Sequence, residues 1–160
     1  MPDALPEAAT RRRSVPAVAR LDMAPLTGHV GFLLRLAQQQ VFDEFHRHFG
    51  QAGVTPARYS VLALLQANPD VQQGHLAEAL RVKPSNMAVL LAEMEAQGLV
   101  DRRVDAANRR ANLLRLTAAG HALYDELTPA ILAMEQQVAH RLTPRQYATL
   151  VTLLAKLSPP

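Results

Sequence analysis

The stretch that decides the fold is residues 73–104, which read QGHLAEALRVKPSNMAVLLAEMEAQGLVDRRV. Apolar residues at helical spacing predict a short helix over residues 73–80 and a second helix that runs from Pro84 to about Gln97. Only the three residues 81–83 separate the two helices. Gly98 is a typical helix stop, and the residues that follow it favour a strand.

A second extended run, residues 112–116, lies beyond a polar segment at residues 105–110. Two short extended runs joined by a polar loop predict a β-hairpin. Two short helices, a tight turn and a hairpin with arginines near its tip follow the order of a winged helix-turn-helix. The predicted fold is therefore mainly α, with a small β-hairpin wing.

Two further helices are predicted before residue 73. The first begins near residue 27 and ends at about Phe49, and its first half is apolar nearly all round. A helix without a polar face has to be covered on all sides, so we expect a second subunit to cover it. Thr55-Pro56 is a start signal for the next helix, which ends at Asn68-Pro69.

A long helix and a final helix are predicted after the hairpin. Thr117 is the cap of the long helix. Thr128-Pro129 inside it predicts either a kink or a new start with Thr128 as the cap. Thr143 and Gln146 are spaced for a capping box at the start of the last helix.

Composition and charge narrow the class of function. The chain has 160 residues, no cysteine, and 17 Lys and Arg against 14 Asp and Glu. The lack of cysteine excludes disulfides, iron–sulfur clusters, cysteine-ligated zinc and thiol-based redox switches. Residues 81–115 hold seven basic and four acidic residues, so this segment alone carries the net +3 of the whole chain. A positive charge concentrated on the predicted lobe favours an anionic partner such as DNA.

No catalytic, metal or membrane motif competes with this interpretation. The sequence lacks a Gly-x-Ser-x-Gly elbow, a Gly-rich phosphate loop and a His-Glu-x-x-His motif. The six histidines show no metal-ligand spacing. No apolar run approaches the roughly 18 residues of a membrane helix, and no signal-peptide region follows the arginines at residues 11–13. We therefore expect no catalysis, cofactor, metal or membrane partner, and a cytoplasmic location.

Candidate DNA contacts lie at the start of the second short helix and at the wing tip. Asn86 can pair with adenine, Ser85 with several base edges, and the Ala88 methyl can touch a thymine methyl. Alternatively, Ser85 and Asn86 serve only to cap the helix. Arg109 or Arg110 can enter the minor groove, or stay an exposed loop charge. The predicted DNA-binding residues are Lys83, Ser85, Asn86, Ala88, Arg109 and Arg110.

Four short motifs accompany this order of elements. They are HLAEAL at residues 75–80, MEAQGLV at 94–100, the arginine pair at 109–110, and LTAAG at 116–120. Together they resemble the MarR family of bacterial transcriptional regulators, over about residues 28–157. The resemblance implies a homodimer, built by the first and the last two helices of each chain, that reads a pseudo-palindrome in double-stranded DNA. It also implies a small-molecule effector bound between the dimer bundle and the DNA-binding lobe.

The resemblance divides the chain into an arm and one domain. Residues 1–26 are expected to form a flexible N-terminal arm, and residues 27–160 a MarR-like domain. Within that domain, residues 27–54 and 117–160 supply the dimerisation helices. Residues 55–116 supply the winged helix-turn-helix lobe.

Two positions depart from the family pattern. Val89 stands where family members often carry arginine, and Asn108 where they often carry aspartate. A recognition helix poor in charge shifts the expected DNA contacts onto Lys83, Ser85, Asn86 and the wing. It also leaves open a second function class, a winged-helix protein-interaction module without sequence-specific DNA binding.

The expected effector site lies where the first, second and long helices approach the lobe. A basic group beside aromatic side chains suits an aromatic carboxylate or a phenolate. Plain core packing is the alternative for Phe42 and Tyr59. Taken together, we expect a repressor released from its operator by a small aromatic acid or phenol. The candidate effector residues are Phe42, His46, Phe49, Arg58 and Tyr59.

Overall fold

The computed structural model describes residues 21–104 and 112–158. Helices dominate, and one small antiparallel sheet interrupts them, so the predicted fold class is confirmed. The α-helices are α1 (Ala24–Thr27), α2 (Val30–Phe49), α3 (Pro56–Ala67), α4 (Gln73–Ala79), α5 (Pro84–Ala96), α6 (Ala118–Val138) and α7 (Pro144–Leu157). The strands are β1 (Val71–Gln72), β2 (Val100–Val104) and β3 (Asn112–Leu116).

The sheet holds one strand that the sequence did not predict. The order is β1-β3-β2, and both neighbouring pairs are antiparallel. Val71 pairs with Leu114, and Val100 pairs with Leu116. Because β1 is only two residues long, it has no alternating pattern for a sequence argument to detect. Because α4 begins directly after β1, the pairing of β1 with β3 attaches the hairpin to the start of α4.

The first helix also differs from its prediction. The chain forms the short helix α1 and then, after Gly28 and His29, the separate helix α2. His29 has an extended backbone and interrupts the helical path. The helical structure therefore begins at Ala24, within the segment predicted as an N-terminal arm.

The long helix does not restart at its proline. Helix α6 continues through Pro129, and the Thr128 hydroxyl donates to the Tyr124 carbonyl at 2.7 Å instead of capping a new helix. Proline lacks the N–H that would bond to the carbonyl of Asp125. Asp125 and Pro129 are both exposed, so water can reach that carbonyl.

The three predicted caps are present. Thr55 accepts a bond from the Arg58 backbone N–H at 3.2 Å. Thr143 and Gln146 form the reciprocal capping box of α7. Thr117 accepts from the backbone N–H of Gly120 at 3.1 Å. The starts of α3, α6 and α7 are therefore encoded locally.

Most of the hydrophobic core lies inside the winged helix-turn-helix lobe. The side chains of Leu62 and Leu65 from α3, Met87 and Leu91 from α5, and Leu114 from β3 are almost fully buried. Helices α2 and α7 differ, because they leave large apolar side chains exposed in the single chain. These are Val30, Leu33, Leu34, Leu36 and Phe42 on α2, and Tyr147, Leu150, Val151, Leu153, Leu154 and Leu157 on α7.

The ends of α5 and β3 meet the start of α6 at a contact that we name the Leu99 junction, formed by Gly98, Leu99, Thr117 and Gly120. The Thr117 N–H donates to the Leu99 carbonyl at 3.0 Å, and its hydroxyl donates to the Gly98 carbonyl at 2.6 Å. A β-carbon at Gly120 would lie 2.1 Å from the Leu99 carbonyl oxygen. Only glycine fits there without displacing backbone.

Replacing Gly120 with alanine should destabilise the fold, because the added methyl forces α6 away from the Leu99 carbonyl. We expect Gly120→Ala to cost about 1–3 kcal/mol of unfolding free energy, the usual range for overpacking. The matched control is Gly74→Ala in α4, where a β-carbon meets nothing within 4 Å. Urea denaturation at equal protein concentration measures both; equal midpoints for the two variants would contradict the steric account.

Candidate DNA-binding surface and ligand site

The turn between α4 and α5 is held by the backbone. The N–H of Arg81 donates to the Glu78 carbonyl at 3.0 Å, and the N–H of Val82 donates to the Ala77 carbonyl at 2.9 Å. Arg81 has a φ of 52°, the left-handed conformation that ends a helix sharply. The chain therefore leaves α4 and enters α5 at Pro84 within four residues. This is the tight helix-turn-helix connection that the sequence predicts.

The N-terminal end of α5 presents polar side chains to solvent. Ser85 and Asn86 are exposed, and within the described residues neither side chain makes a hydrogen bond. The N-cap position belongs to Lys83, and no side chain caps the helix. Ser85 and Asn86 therefore do not act as caps, and their polar atoms are available to a partner. Across residues 21–104 and 112–158, no carboxylate pairs with the exposed Lys83.

The apolar contact expected of Ala88 is better presented by its neighbour. Ala88 is half-buried, whereas the Val89 side chain is 60% exposed. Val89 follows Ser85 by four residues and Asn86 by three, so the three share one side of the helix. We call these three residues the outer face of α5.

Strand arginines that contribute to the positive charge are held by acidic partners. Arg102 Nε donates to Glu95 Oε1 at 2.6 Å, and Arg115 Nη2 donates to Asp70 Oδ1 at 2.6 Å. Arg103 is paired with Asp101 at 3.3 Å and is more exposed. The predicted contacts Arg109 and Arg110, together with Asn108, lie outside the described residues.

The five predicted effector residues occupy separate places. Phe49 is a core residue with 7% exposure, and its ring packs against Phe45 at a centroid distance of 4.8 Å. His46 is exposed beside Gly50. Phe42 lines a different site, an open groove of about 500 Å³ between α2, the end of α6 and α7. These three side chains do not surround one cavity.

Arg58 and Tyr59 lie at the boundary between the lobe and α6. The Arg58 guanidinium donates to the Gly53 carbonyl at 2.6 Å and to the Gln97 side chain. It borders a small cavity of about 40 Å³ that Leu62, Met94, Leu99 and Leu123 also line. Arg58 therefore links the segment before α3 to the C-terminal end of α5.

The Tyr59 ring stacks on Tyr124 at a centroid distance of 5.9 Å. The Tyr59 hydroxyl lies 3.3 Å from the Thr128 hydroxyl. Tyr124, Thr128 and the Arg58 partner Gln97 were not predicted from the sequence as residues of this site. They lie 39 to 69 positions from their partners in the sequence, and no local sequence pattern predicts a contact between residues so far apart.

In residues 21–104 and 112–158, no three His, Cys, Asp or Glu side chains are grouped so as to hold a metal ion. Nor does any helix there combine the length and apolarity needed to cross a membrane.

Comparisons with known proteins agree with this geometry. A family model for the MarR family matches residues 52–111. A putative transcriptional regulatory protein for the hcr operon of Thauera aromatica is 30% identical over 151 residues, which cover 92% of this chain and 91% of that protein.

Two solved structures are similar over most of the chain. The repressor CouR, bound to a 23-mer DNA duplex, is 30% identical with a TM-score of 0.81, covering 88% of this chain and 99% of that one. BpsR from Bordetella bronchiseptica, whose DNA binding is regulated by 6-hydroxynicotinic acid, is 27% identical with a TM-score of 0.79. That match covers 84% of this chain and 96% of BpsR.

The fold and these relatives together define a winged helix-turn-helix transcriptional regulator rather than an enzyme. More narrowly, this chain belongs to the MarR family.

Proposed function

We propose that this regulator is a homodimeric repressor that binds a pseudo-palindromic operator and leaves it when a small aromatic acid or phenol binds. The observation that carries the proposal is the outer face of α5. Among the described residues its polar side chains, Ser85 and Asn86, are exposed and make no hydrogen bond, and they lie at the end of the helix that a winged helix-turn-helix directs at the major groove. CouR is a DNA-bound repressor and BpsR responds to an aromatic acid, which supports the same behaviour here. Such a protein would act in the cytoplasm.

The dimer follows from the apolar side chains that α2 and α7 expose. Monomeric proteins rarely expose contiguous apolar surface of this extent. The groove between α2 and α7 is lined by apolar side chains from both helices, among them Leu34, Phe42, Leu150 and Leu154. A second copy is the occupant that fits, since the first and last helices of family members are expected to form the dimer.

A charge placed in this groove should break the dimer. Leu154→Arg would bury an unpaired guanidinium in the apolar contact, so we expect a monomer at concentrations where the native chain is dimeric. Val89→Arg is the control, because Val89 is exposed on α5 and does not line this groove. Sedimentation velocity measures the outcome, and a Leu154→Arg variant that remained fully dimeric would argue against this interface.

We expect the dimer to recognise DNA with its two copies of α5. A two-fold axis would set the two N-terminal ends of α5 about one DNA turn apart, roughly 34 Å, so that each reads one half-site. The exposed Lys83 would neutralise backbone phosphate, while Asn86 and Ser85 would meet base edges. Arg109 and Arg110 would add contacts from the wing.

Two substitutions should separate affinity from sequence preference. Asn86→Ala should relax the preference at one base position of each half-site by about 1–3 kcal/mol. Arg110→Ala should weaken binding to all sequences and reduce the slope of affinity against salt. Fluorescence anisotropy on the chain's own upstream intergenic DNA, across a salt titration, reports both effects.

Native protein that gives neither a salt-sensitive nor a competitor-resistant complex would contradict operator binding. That outcome would favour the protein-interaction module instead.

An aromatic carboxylate fits the chemistry around Arg58. The guanidinium now donates to two neutral acceptors, the Gly53 carbonyl and the Gln97 side chain. A carboxylate would accept charge-assisted bonds that are stronger than these. The effector would therefore compete with Gln97, which is the C-cap residue of α5.

The cavity beside Arg58 is too small to hold an aromatic effector unless the residues around it move. Its volume of about 40 Å³ is far below the roughly 300–1,000 Å³ of ligand pockets. An aromatic effector could enter only if the residues of α3, α5 and α6 around Arg58 separate. Binding would then favour an arrangement of α5 that no longer matches two successive major grooves, to the extent that the effector prefers that arrangement.

Aromatic acids should therefore raise the melting temperature of the native chain and lower its operator affinity. Benzoate, 4-hydroxybenzoate and 6-hydroxynicotinate are the probes, and stabilisation should grow with concentration, reaching about 2.7 kcal/mol at 100 times Kd. Arg58→Met should lose the response, while Arg47→Met on α2, which removes an arginine outside this cavity, should keep it.

A thermal shift that is absent for every acid and phenol, or unchanged in Arg58→Met, would contradict the proposed effector site.

A further inference from the structure

Helix α5 carries no positively charged side chain along its length. Between Pro84 and Ala96 the only charged residues are Glu93 and Glu95, and Glu95 is held by Arg102. A helix that meets DNA with this face cannot pair a phosphate with a cationic side chain of its own beyond the N-cap residue Lys83. Its contacts with the major groove must come from base edges and from apolar surface.

Val89 supplies the apolar surface. The core positions of α5 are filled by Met87, Leu91 and Met94, each with 0% exposure, whereas Val89 is 60% exposed and outside the buried core. A single exposed valine needs no explanation on an ordinary surface. Here it lies one helical turn after Ser85 and Asn86, on the side of the helix proposed to face the bases.

The major groove offers one apolar group that such a side chain can contact, the C5-methyl of thymine. Each base pair presents hydrogen-bond donors and acceptors there, and the thymine C5-methyl is the apolar group. A valine against the polar edges of guanine or cytosine would remove them from water without replacing their hydrogen bonds, which is unfavourable. Against a thymine methyl it would bury apolar surface on both sides.

We propose that Val89 is a specificity-determining residue that contacts the C5-methyl of one thymine in each half-site of the operator. The inference rests on the proposed operator binding. Residues three and four apart on a helix lie about 5–6 Å from each other, so the thymine would lie one or two base steps from the base that Asn86 reads. The position at which family members often carry arginine would here read a methyl group instead of a guanine edge or a phosphate.

The test removes the methyl from DNA without changing any hydrogen bond. A binding site is first selected from a random duplex pool with the native chain, and each thymine is then replaced singly by deoxyuridine. Replacement of the contacted thymine should weaken binding about fourfold per half-site, the value of roughly one buried methyl group. The native chain should show this loss at one thymine in each half-site.

Variants at position 89 assign the effect to its side chain. Val89→Ala should bind thymine and deoxyuridine equally at that position, and Val89→Thr, which replaces one methyl with a hydroxyl, should show a reduced difference. Asn86→Ala is the matched control, because it should keep the methyl dependence while losing preference at its own base.

The outcomes separate this inference from the function on which it rests. If the native chain selects a site but no deoxyuridine effect depends on residue 89, the proposed role of Val89 is wrong and operator binding stands. If no sequence is selected from the pool, both are wrong.

Discussion

The first turn of α6 meets the backbone of Leu99 without space for a side chain, since a β-carbon at Gly120 would lie 2.1 Å from the Leu99 carbonyl oxygen. Four elements converge there: α5 ends, β2 begins, β3 ends and α6 starts. Thr117 closes the contact by bonding to Gly98, Leu99 and Gly120. Because backbone meets backbone, the helix that presents Ser85 and Asn86 is held in a defined position relative to α6. The proposed repressor, in which an effector binds beside Arg58 at the boundary between the lobe and α6, would depend on this rigid connection.

A second link to the same end of α5 is made by side chains and is therefore easier to change. Arg58 bonds to Gln97 and to the Gly53 carbonyl, while Tyr59 stacks on Tyr124 of α6. The two links differ in how a ligand can affect them. An anion can compete with Gln97 for the Arg58 guanidinium, whereas the close backbone contact at Gly120 offers no group for which a ligand could compete. This difference favours the proposed mechanism, in which an effector alters the side-chain link and α5 moves relative to α3 together with the wing base and the start of α6. The absence of cysteine from the chain excludes thiol oxidation as an alternative signal.

Much of the fold could be predicted because its signals are local. Thr55, Thr117 and Thr143 cap the helices that the sequence predicts to begin at them. Gly98, which follows α5, has a φ of 68°, as expected of a glycine that ends a helix. The two-residue strand β1 was not predicted, because its pairing with β3 decides it. At Pro129 the sequence left a kink and a restart open, and the structure shows one helix that continues through the proline. The site was predicted less completely. Which side of α5 faces solvent depends on packing, so sequence alone favoured Ala88 where the structure exposes Val89, and it grouped Phe42 with Arg58 although they border different cavities.

In the proposed complex, two copies of α5 lie in successive major grooves of one DNA duplex. The cysteine-free chain allows a direct measurement, since Ala92→Cys places a single thiol on an exposed position of α5 one turn after Val89. An iron chelate attached to that thiol cuts the DNA backbone nearest to it when peroxide and ascorbate are added. We expect two cleavage clusters on a selected binding site, related by two-fold symmetry and about one helical turn apart. A bound complex with a single cluster, or with uniform cleavage along the duplex, would contradict this arrangement.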